Sequence, residues 1–418
     1  MINLNNRRHS YLRKVCPHTL IGLLYILAIF PWIDFAVRFS LPSFIGSIWD
    51  DLFLIVILFY LWLEKRHQNR LTAIPATVTR PFFAFLFFSI ASIVINIVPL
   101  AVSFDVLRVV YQPMFFILIT MYLLDERKLL DRFIRIMIIS TVIIAIAGII
   151  QYIFQIESFR FQSKEGQFRI VAIFGNPNAL AQYLNMILSF TVAFFLLVKS
   201  KKEKLFYLLV SIPMFLALLL TFSRGAWIAF FFMIVYTVWV WNKKWLLSLP
   251  ILAALTPFVM PESIINRFAK LLDPEYYQMS SEFGRIAFWT EGLIKIKENP
   301  VFGLGMGMFG DSVPLRHNIP FSTWVDNHYI KIGAEIGIFG LIAFILLLYF
   351  LFRLAANFYQ RLDDIKDKAY MLGLSGVIIT MAVQNVTASI WEALANAIYF
   401  YAFIGILFAY AWKLKNER

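Results

Sequence analysis

The strongest constraint on this chain is a succession of apolar runs. Each is close to the ~20 residues that a helix needs to cross a bilayer. Twelve can be counted: roughly 19–37, 46–63, 81–100, 106–124, 133–154, 178–198, 205–222, 224–241, 245–260, 327–352, 369–388 and 390–412. Lipid offers no hydrogen-bond partner to the backbone, so runs of this length cross as helices. The expected fold is all-α: a polytopic integral membrane protein with about 12 transmembrane helices and one membrane domain over 1–418. The ninth run is short and holds Pro250. The long polar stretch 261–326 forms one large loop between spans 9 and 10.

Composition agrees. The chain is 61% hydrophobic and 15% charged, against about 25% charged in soluble domains. Its net charge of +13 does not indicate nucleic acid, because the basic residues fall in short clusters between apolar runs. Twelve spans put both termini on one side. The segments on that side hold 25 of the 38 Lys and Arg, and six of the others lie in the single long loop. Positive charge stays in the cytoplasm, so both termini are expected there and the loop 261–326 is expected to be extracytoplasmic. Four basic residues (Arg7, Arg8, Arg13, Lys14) precede the first run with no small-x-small cleavage site after it, which reads as an uncleaved first span. The single cysteine, Cys16, excludes an intramolecular disulfide and a site built from Cys pairs.

Charge at mid-membrane is costly, so the polar residues inside the runs carry information. On this topology Asp34, Arg38, Asp50, Asp51, Arg108, Gln151, Gln182, Asn185, Arg224, Gln384, Asn385 and Glu392 lie toward the outer ends of their spans. A transporter needs polar groups near the midplane and access from both sides. An outer belt suits a site open to the outside and to the outer leaflet. Some of these residues, Asp34, Arg38 and Glu392 among them, also fit a plain interfacial role.

The seam at Asp326-Asn327-His328, where the long loop ends and span 10 begins, carries the densest chemistry. His328, Lys331 and Glu335 stand at i, i+3 and i+7, on one helix face. Lys331 and Glu335 can pair. Asp326 or Asn327 can cap the helix. A neutral imidazole at His328 can accept a proton near neutral pH. Arg224 opens span 8 after a tight turn, and Arg285 lies at the start of an amphipathic helix expected over Phe283–Glu298. Two arginines beside a histidine make an anion clamp next to a base, since guanidinium donors match phosphate oxygens. The glycines of Val301–Gly310 lack the strand–helix context of a nucleotide loop and read as tight turns. Phe174-Gly175-Asn176-Pro177-Asn178 reads as a turn and cap for span 6, with proline at the first helical position. No HExxH, Asp-x-Asp or Cys cluster suggests a metal.

Several of these stretches occur in an order that resembles the bacterial O-antigen ligase and O-antigen polymerase superfamily. They are Phe174–Asn178, Thr221-Phe222-Ser223-Arg224-Gly225-Ala226-Trp227, Gly284-Arg285 with Trp289, Asn299–Gly305, and Asp326-Asn327-His328 through Gly340. The likeness covers about 170–340, and the earlier spans only by hydropathy. It implies a GT-C-like membrane glycosyltransferase of a bacterial cytoplasmic membrane, active in cell-surface polysaccharide biosynthesis. Such enzymes move a glycan from an undecaprenyl diphosphate carrier to a glycan, lipid or protein acceptor, with no metal or other cofactor and with inversion. It also implies that Arg224 and Arg285 hold the donor diphosphate and that His328 activates the acceptor hydroxyl. Arg108, Lys331, Glu335, Asn327 and Asp326 are expected to bind substrate by their depth and helix face alone. A polymerase of carrier-linked repeat units, of O-antigen or teichuronic acid type, is the nearest alternative. A flippase for lipid-linked sugars is the alternative of another class.

Overall fold

The protein is all-helical in a computed structural model, which describes residues 18–64, 70–123, 127–157, 168–248, 250, 262–269, 272–320 and 322–416. The helices are α1 (His18–Ala28), α2 (Phe30–Ser40), α3 (Ser43–Glu64), α4 (Ala76–Ile95), α5 (Leu100–Tyr111), α6 (Phe116–Leu123), α7 (Arg127–Ile153), α8 (Pro177–Leu197), α9 (Lys201–Leu220), α10 (Arg224–Trp241), α11 (Glu262–Ala269), α12 (Pro274–Phe283), α13 (Arg285–Glu298), α14 (Ser312–Arg316), α15 (His328–Arg361), α16 (Ile365–Gln384) and α17 (Leu394–Asn416). Among the described residues nine helical stretches are long and apolar enough to cross a membrane. They become ten if α1 and α2, bent by 76° at their junction, form one span.

The departures from twelve uniform spans have local causes. Pro31 stands at the start of α2, where a proline ends the preceding helix and opens the next. The fourth span runs from Leu100 to Tyr122, begins six residues earlier than expected after Pro99, and tightens to a 3-10 turn at Gln112–Phe115 around Pro113. The third starts at Ala76 with Pro81 inside it. The eleventh expected span is the helix α16. It is 20 residues long, but its polar residues keep it below the hydropathy of a lipid-facing span. Most of the ninth, like the basic N-terminal tail with Cys16, lies outside the described residues; Lys243–Leu247, which runs into its start, is a 3-10 turn.

Burial separates the helices into two kinds. On α4 the side chains of Phe83, Phe87, Ile90 and Val94 are exposed at helical spacing, an apolar stripe suited to lipid. By contrast α8 and α17 are buried over most of their length, as expected of helices apolar all round. Tyr183 of α8 and Tyr399 of α17 face each other at 5.4 Å between ring centroids. α16 packs against α8, α10 and α15, and Gly373 and Gly376 lie against Phe190 and Ser189 of α8. Small residues there let the backbones approach.

Polar contacts sort the interhelical segments into two groups. Arg127 pairs with Asp364, Lys366 with Glu203 at 2.9 Å, Lys415 donates to Thr72 O, and Arg70 to Met121 O. At the other end Arg38 meets Asp50, Arg169 reaches Asn178, Gln384 reaches Asn178 O and Ser92 reaches Glu335 O. The belt residues read from the sequence gather at this second end.

Candidate active site

The first nine residues of α15 form a short arm. Asn327, extended at φ −152°, caps it, its side-chain oxygen accepting from the amides of Tyr329 and Ile330 at 3.1 Å each. The His328 amide donates to Asn385 O at 3.0 Å. The arm ends at Gly337, where φ 78° and ψ 176° leave the helix. A Cβ there would lie 2.2 Å from Val301 O, so only glycine fits. The expected single span over 327–352 is thus an arm followed by a membrane helix, and His328, Lys331 and Glu335 share one face because all three precede the break.

A broken helix leaves carbonyls without partners. Here the glycine turn and α4 supply them: Leu304 N donates to Ala334 O at 2.8 Å, Gly305 N to Glu335 O at 3.1 Å, and Ser92 Oγ of α4 to Glu335 O at 2.6 Å. Gly303, Gly305, Gly307 and Gly310 all have positive φ. The turn is a clamp on the arm.

Lys331 is 3% exposed. Its ammonium donates to Gly310 O at 3.0 Å, stands 3.7 Å from Glu335 and pairs more closely with Glu392. The pairing with Glu335 is therefore present but secondary. Glu335 also accepts from Phe309 N at 3.2 Å, and Glu392 from Ser312 N at 2.8 Å. Asp311 is fully buried and accepts from Val325 N at 2.9 Å. Burial pushes its carboxyl up to about 6, with Lys331 opposing and Glu392 reinforcing the rise. At Glu392 burial raises the carboxyl, but Lys331 and Ser312 outweigh it and hold it below the usual range. Four charged side chains thus fasten the long loop to the arm. Lys331 and Glu335, expected to bind substrate, turn their charges toward these partners.

The His328 ring lies 5.6 Å from Phe344 and 6.2 Å from Trp391, and its Nδ1 has no hydrogen-bond partner among the described residues. It lines a cavity of about 30 Å³ with Lys331, Glu335, Trp391, Glu392 and Tyr401, room for a water or two.

Arg285 is the first residue of α13. It holds Asp326 by Nε at 2.9 Å and Nη2 at 2.8 Å. The expected helix Phe283–Glu298 starts two residues later, because Gly284 breaks the chain and Phe283 ends α12. Trp289 donates to Val325 O at 2.9 Å, and Gly292 lies against Ile330, so α13 rides on the arm. Asp326, with φ 53°, serves the arginine and leaves capping to Asn327. Arg224 is the first residue of α10, after Phe222 at φ 50°. A Cβ at the next residue, Gly225, would sit 1.9 Å from Thr387 Oγ1, which places this turn against the loop that receives the His328 amide. Neither arginine lines the His328 cavity. Arg108 stands in the last turn of α5, not the first of its span, bound to Asp51 at 2.7 Å and Ser47 O at 2.6 Å.

Sequence reading gave no central place to the connection 385–393. Asn385 takes the His328 amide, Thr387 packs on Gly225, Trp391 flanks the imidazole and Glu392 holds Lys331. Glu392 also borders an open cleft of about 420 Å³, lined among others by Asp34, Arg38, Asp50, Arg108 and Arg316. A glutamate heading an apolar run was the one visible signal; its partner lies 61 residues away.

The fold and this end of the bundle define a polytopic membrane protein with charged groups locked beneath a long loop. Within it, residues 209–345, a third of the chain, match the family model for O-antigen ligase, Wzy_C, so this stretch is similar to the O-antigen ligase and polymerase superfamily. The matched stretch includes Arg224, Arg285, His328, Lys331 and Glu335, and leaves out Arg108 and Glu392. It supports a glycosyltransferase or ligase type of activity on lipid-linked glycans. No curated protein matches the chain.

Proposed function

We propose that the protein transfers an oligosaccharide or polysaccharide from an undecaprenyl diphosphate carrier to an acceptor at the extracytoplasmic face of a bacterial cytoplasmic membrane. The acceptor hydroxyl attacks the anomeric carbon, the bond to the diphosphate oxygen breaks, and undecaprenyl diphosphate leaves. His328 takes the hydroxyl proton. One displacement inverts the anomeric centre, and no metal is needed. Arg224 and Arg285 stabilise the negative charge that grows on the leaving group, where fixed charge in a water-poor site acts most strongly. The diphosphate competes with Asp326 for Arg285. Arg108, Lys331, Glu335, Asp326 and Asn327 orient the substrates, directly or by holding the arm.

The observation that carries this reading is that the matched O-antigen ligase stretch contains all three residues, each the first residue of its helix, the end where the helix dipole favours an anion. Transfer to a glycan, lipid or protein acceptor is the primary form. Extension of another carrier-linked chain by a polymerase uses the same donor chemistry. The distribution of Lys and Arg supports a cytoplasmic position for both termini. Arg224→Ala and His328→Ala are expected to abolish glycan transfer while the protein still inserts into the membrane. Full activity in either variant overturns the assignment.

A further inference from the structure

We propose that the cleft between α2, α3, α5 and residues 392–395 is a saccharide-binding subsite, joined to the His328 cavity through Glu392. This rests on the glycan-transfer reading and gives the sugar a place.

Charge decides what the cleft can take. Three cations (Arg38, Arg108, Arg316) and three anions (Asp34, Asp50, Glu392) line it. Each guanidinium already has a carboxylate. Arg38 binds Asp34 at 2.6 Å and Asp50 at 3.2 Å, Arg108 binds Asp51 at 2.7 Å and lies 3.5 Å from Asp50, and Arg316 lies 3.3 Å from Asp105. A diphosphate needs surplus positive charge, and the cleft has none. A sugar hydroxyl both donates and accepts, so a neutral polyhydroxyl ligand can bridge these pairs without separating them. Asp50 is the fixed point: it is 1% exposed, and Gln112 donates to its other oxygen at 3.0 Å. Groups held in place before binding lower the cost of ordering. Pro31, Val109, Phe174 and Leu394 form an apolar wall for the C–H face of a ring. The volume, about 420 Å³, falls within the range of about 300–1,000 Å³ usual for small-ligand sites. The His328 cavity, at about 30 Å³, admits no sugar.

Glu392 lines both spaces. One carboxylate oxygen meets Lys331 on the His328 side, and the other accepts from Ser312 N, whose residue borders the cleft. A hydroxyl of a bound sugar that displaces Ser312 or Lys331 from Glu392 stands at the wall of the His328 cavity. Glu392 is a positioning residue in this scheme.

The test uses the full chain in lipid nanodiscs and two probes. One is the oligosaccharide released by mild acid from the host's own surface polysaccharide. The other is farnesyl diphosphate, a short stand-in for the donor lipid. Calorimetry gives the Kd of each. Asp50→Asn and Ala395→Trp, the second filling the cleft with every charge kept, are expected to weaken oligosaccharide binding at least tenfold and to leave farnesyl diphosphate within twofold. Loss of farnesyl diphosphate binding instead overturns the proposal, as does oligosaccharide affinity within twofold of wild type in the folded variants, or no oligosaccharide binding by wild type. Where Asp50→Asn fails to fold, Ala395→Trp decides. Oligosaccharide binding that depends on the cleft in a protein with no transfer activity refutes the transfer reading and leaves the subsite standing. Transfer without cleft-dependent binding does the reverse.

Discussion

Replacing Lys331 by methionine tests whether the charge cluster fastens the loop to the arm. The ammonium is 3% exposed, bound to Gly310 O at 3.0 Å and flanked by Glu392 and by Glu335 at 3.7 Å. Lys331→Met keeps the length of the stem and leaves two buried carboxylates without their cation. Breaking a buried pair in this way costs about 3–5 kcal/mol, roughly two to four orders of magnitude in the folded-to-unfolded ratio. Adding Glu392→Gln removes one stranded charge, and its amide can still accept from Ser312 N. The double variant should therefore be more stable than Lys331→Met alone, with a coupling energy of about 1.5–3 kcal/mol. Unfolding of the purified protein in mixed micelles, followed by tryptophan fluorescence, measures all four corners of the cycle. Lys331→Met within about 0.5 kcal/mol of wild type, or simple additivity, would show that the cluster does not hold the loop.

Other perturbations address neighbouring parts. Gly337→Ala must place a Cβ 2.2 Å from Val301 O at φ 78°; a destabilisation above about 2 kcal/mol is expected, and a well-folded variant of wild-type stability would refute the break. Asp311 has its carboxyl raised from 3.8 to about 6 by burial, so its contribution to stability is full below about pH 4 and is lost as pH rises through about 6. Asp311→Asn should flatten the difference in stability between those pH values; an unchanged pH profile contradicts the assignment. In a Cys16→Ser background, Ser281→Cys should react with a membrane-impermeant maleimide in intact cells and Asn416→Cys should not, while the opposite pattern reverses the proposed orientation.

Much of the scaffold is legible in the sequence because its signals are local. Asn176-Pro177 begins α8, with Asn176 capping Asn178 and Ala179, and Asn327 caps the arm in the same way. Run length in an apolar chain reports spans because lipid leaves the backbone no other solution. The breaks were harder to read. Hydropathy sees Ile336-Gly337-Ile338 as one apolar stretch, whereas the chain reverses its torsion at Gly337 to clear Val301. Gly284 divides α12 from α13 by its extended torsions, φ −122° and ψ −158°, which apolar periodicity does not report. The site was half legible. His328, Lys331 and Glu335 could be put on one face from spacing, but Lys331 finds Glu392 across 61 residues, and Asp326 is drawn from the helix cap to Arg285 across 41. Such partners are set by how α13, α15 and the 385–393 connection pack, and no pattern within a single segment encodes that.

The most direct measurement is a reconstituted transfer reaction. Purified protein in proteoliposomes receives an undecaprenyl diphosphate-linked oligosaccharide and a glycan acceptor, with chelator present. The expected result is a new glycosidic bond with release of one undecaprenyl diphosphate per transfer, lost in His328→Ala. Movement of the intact carrier-linked glycan across the bilayer without release, or undiminished transfer by His328→Ala, would contradict the account.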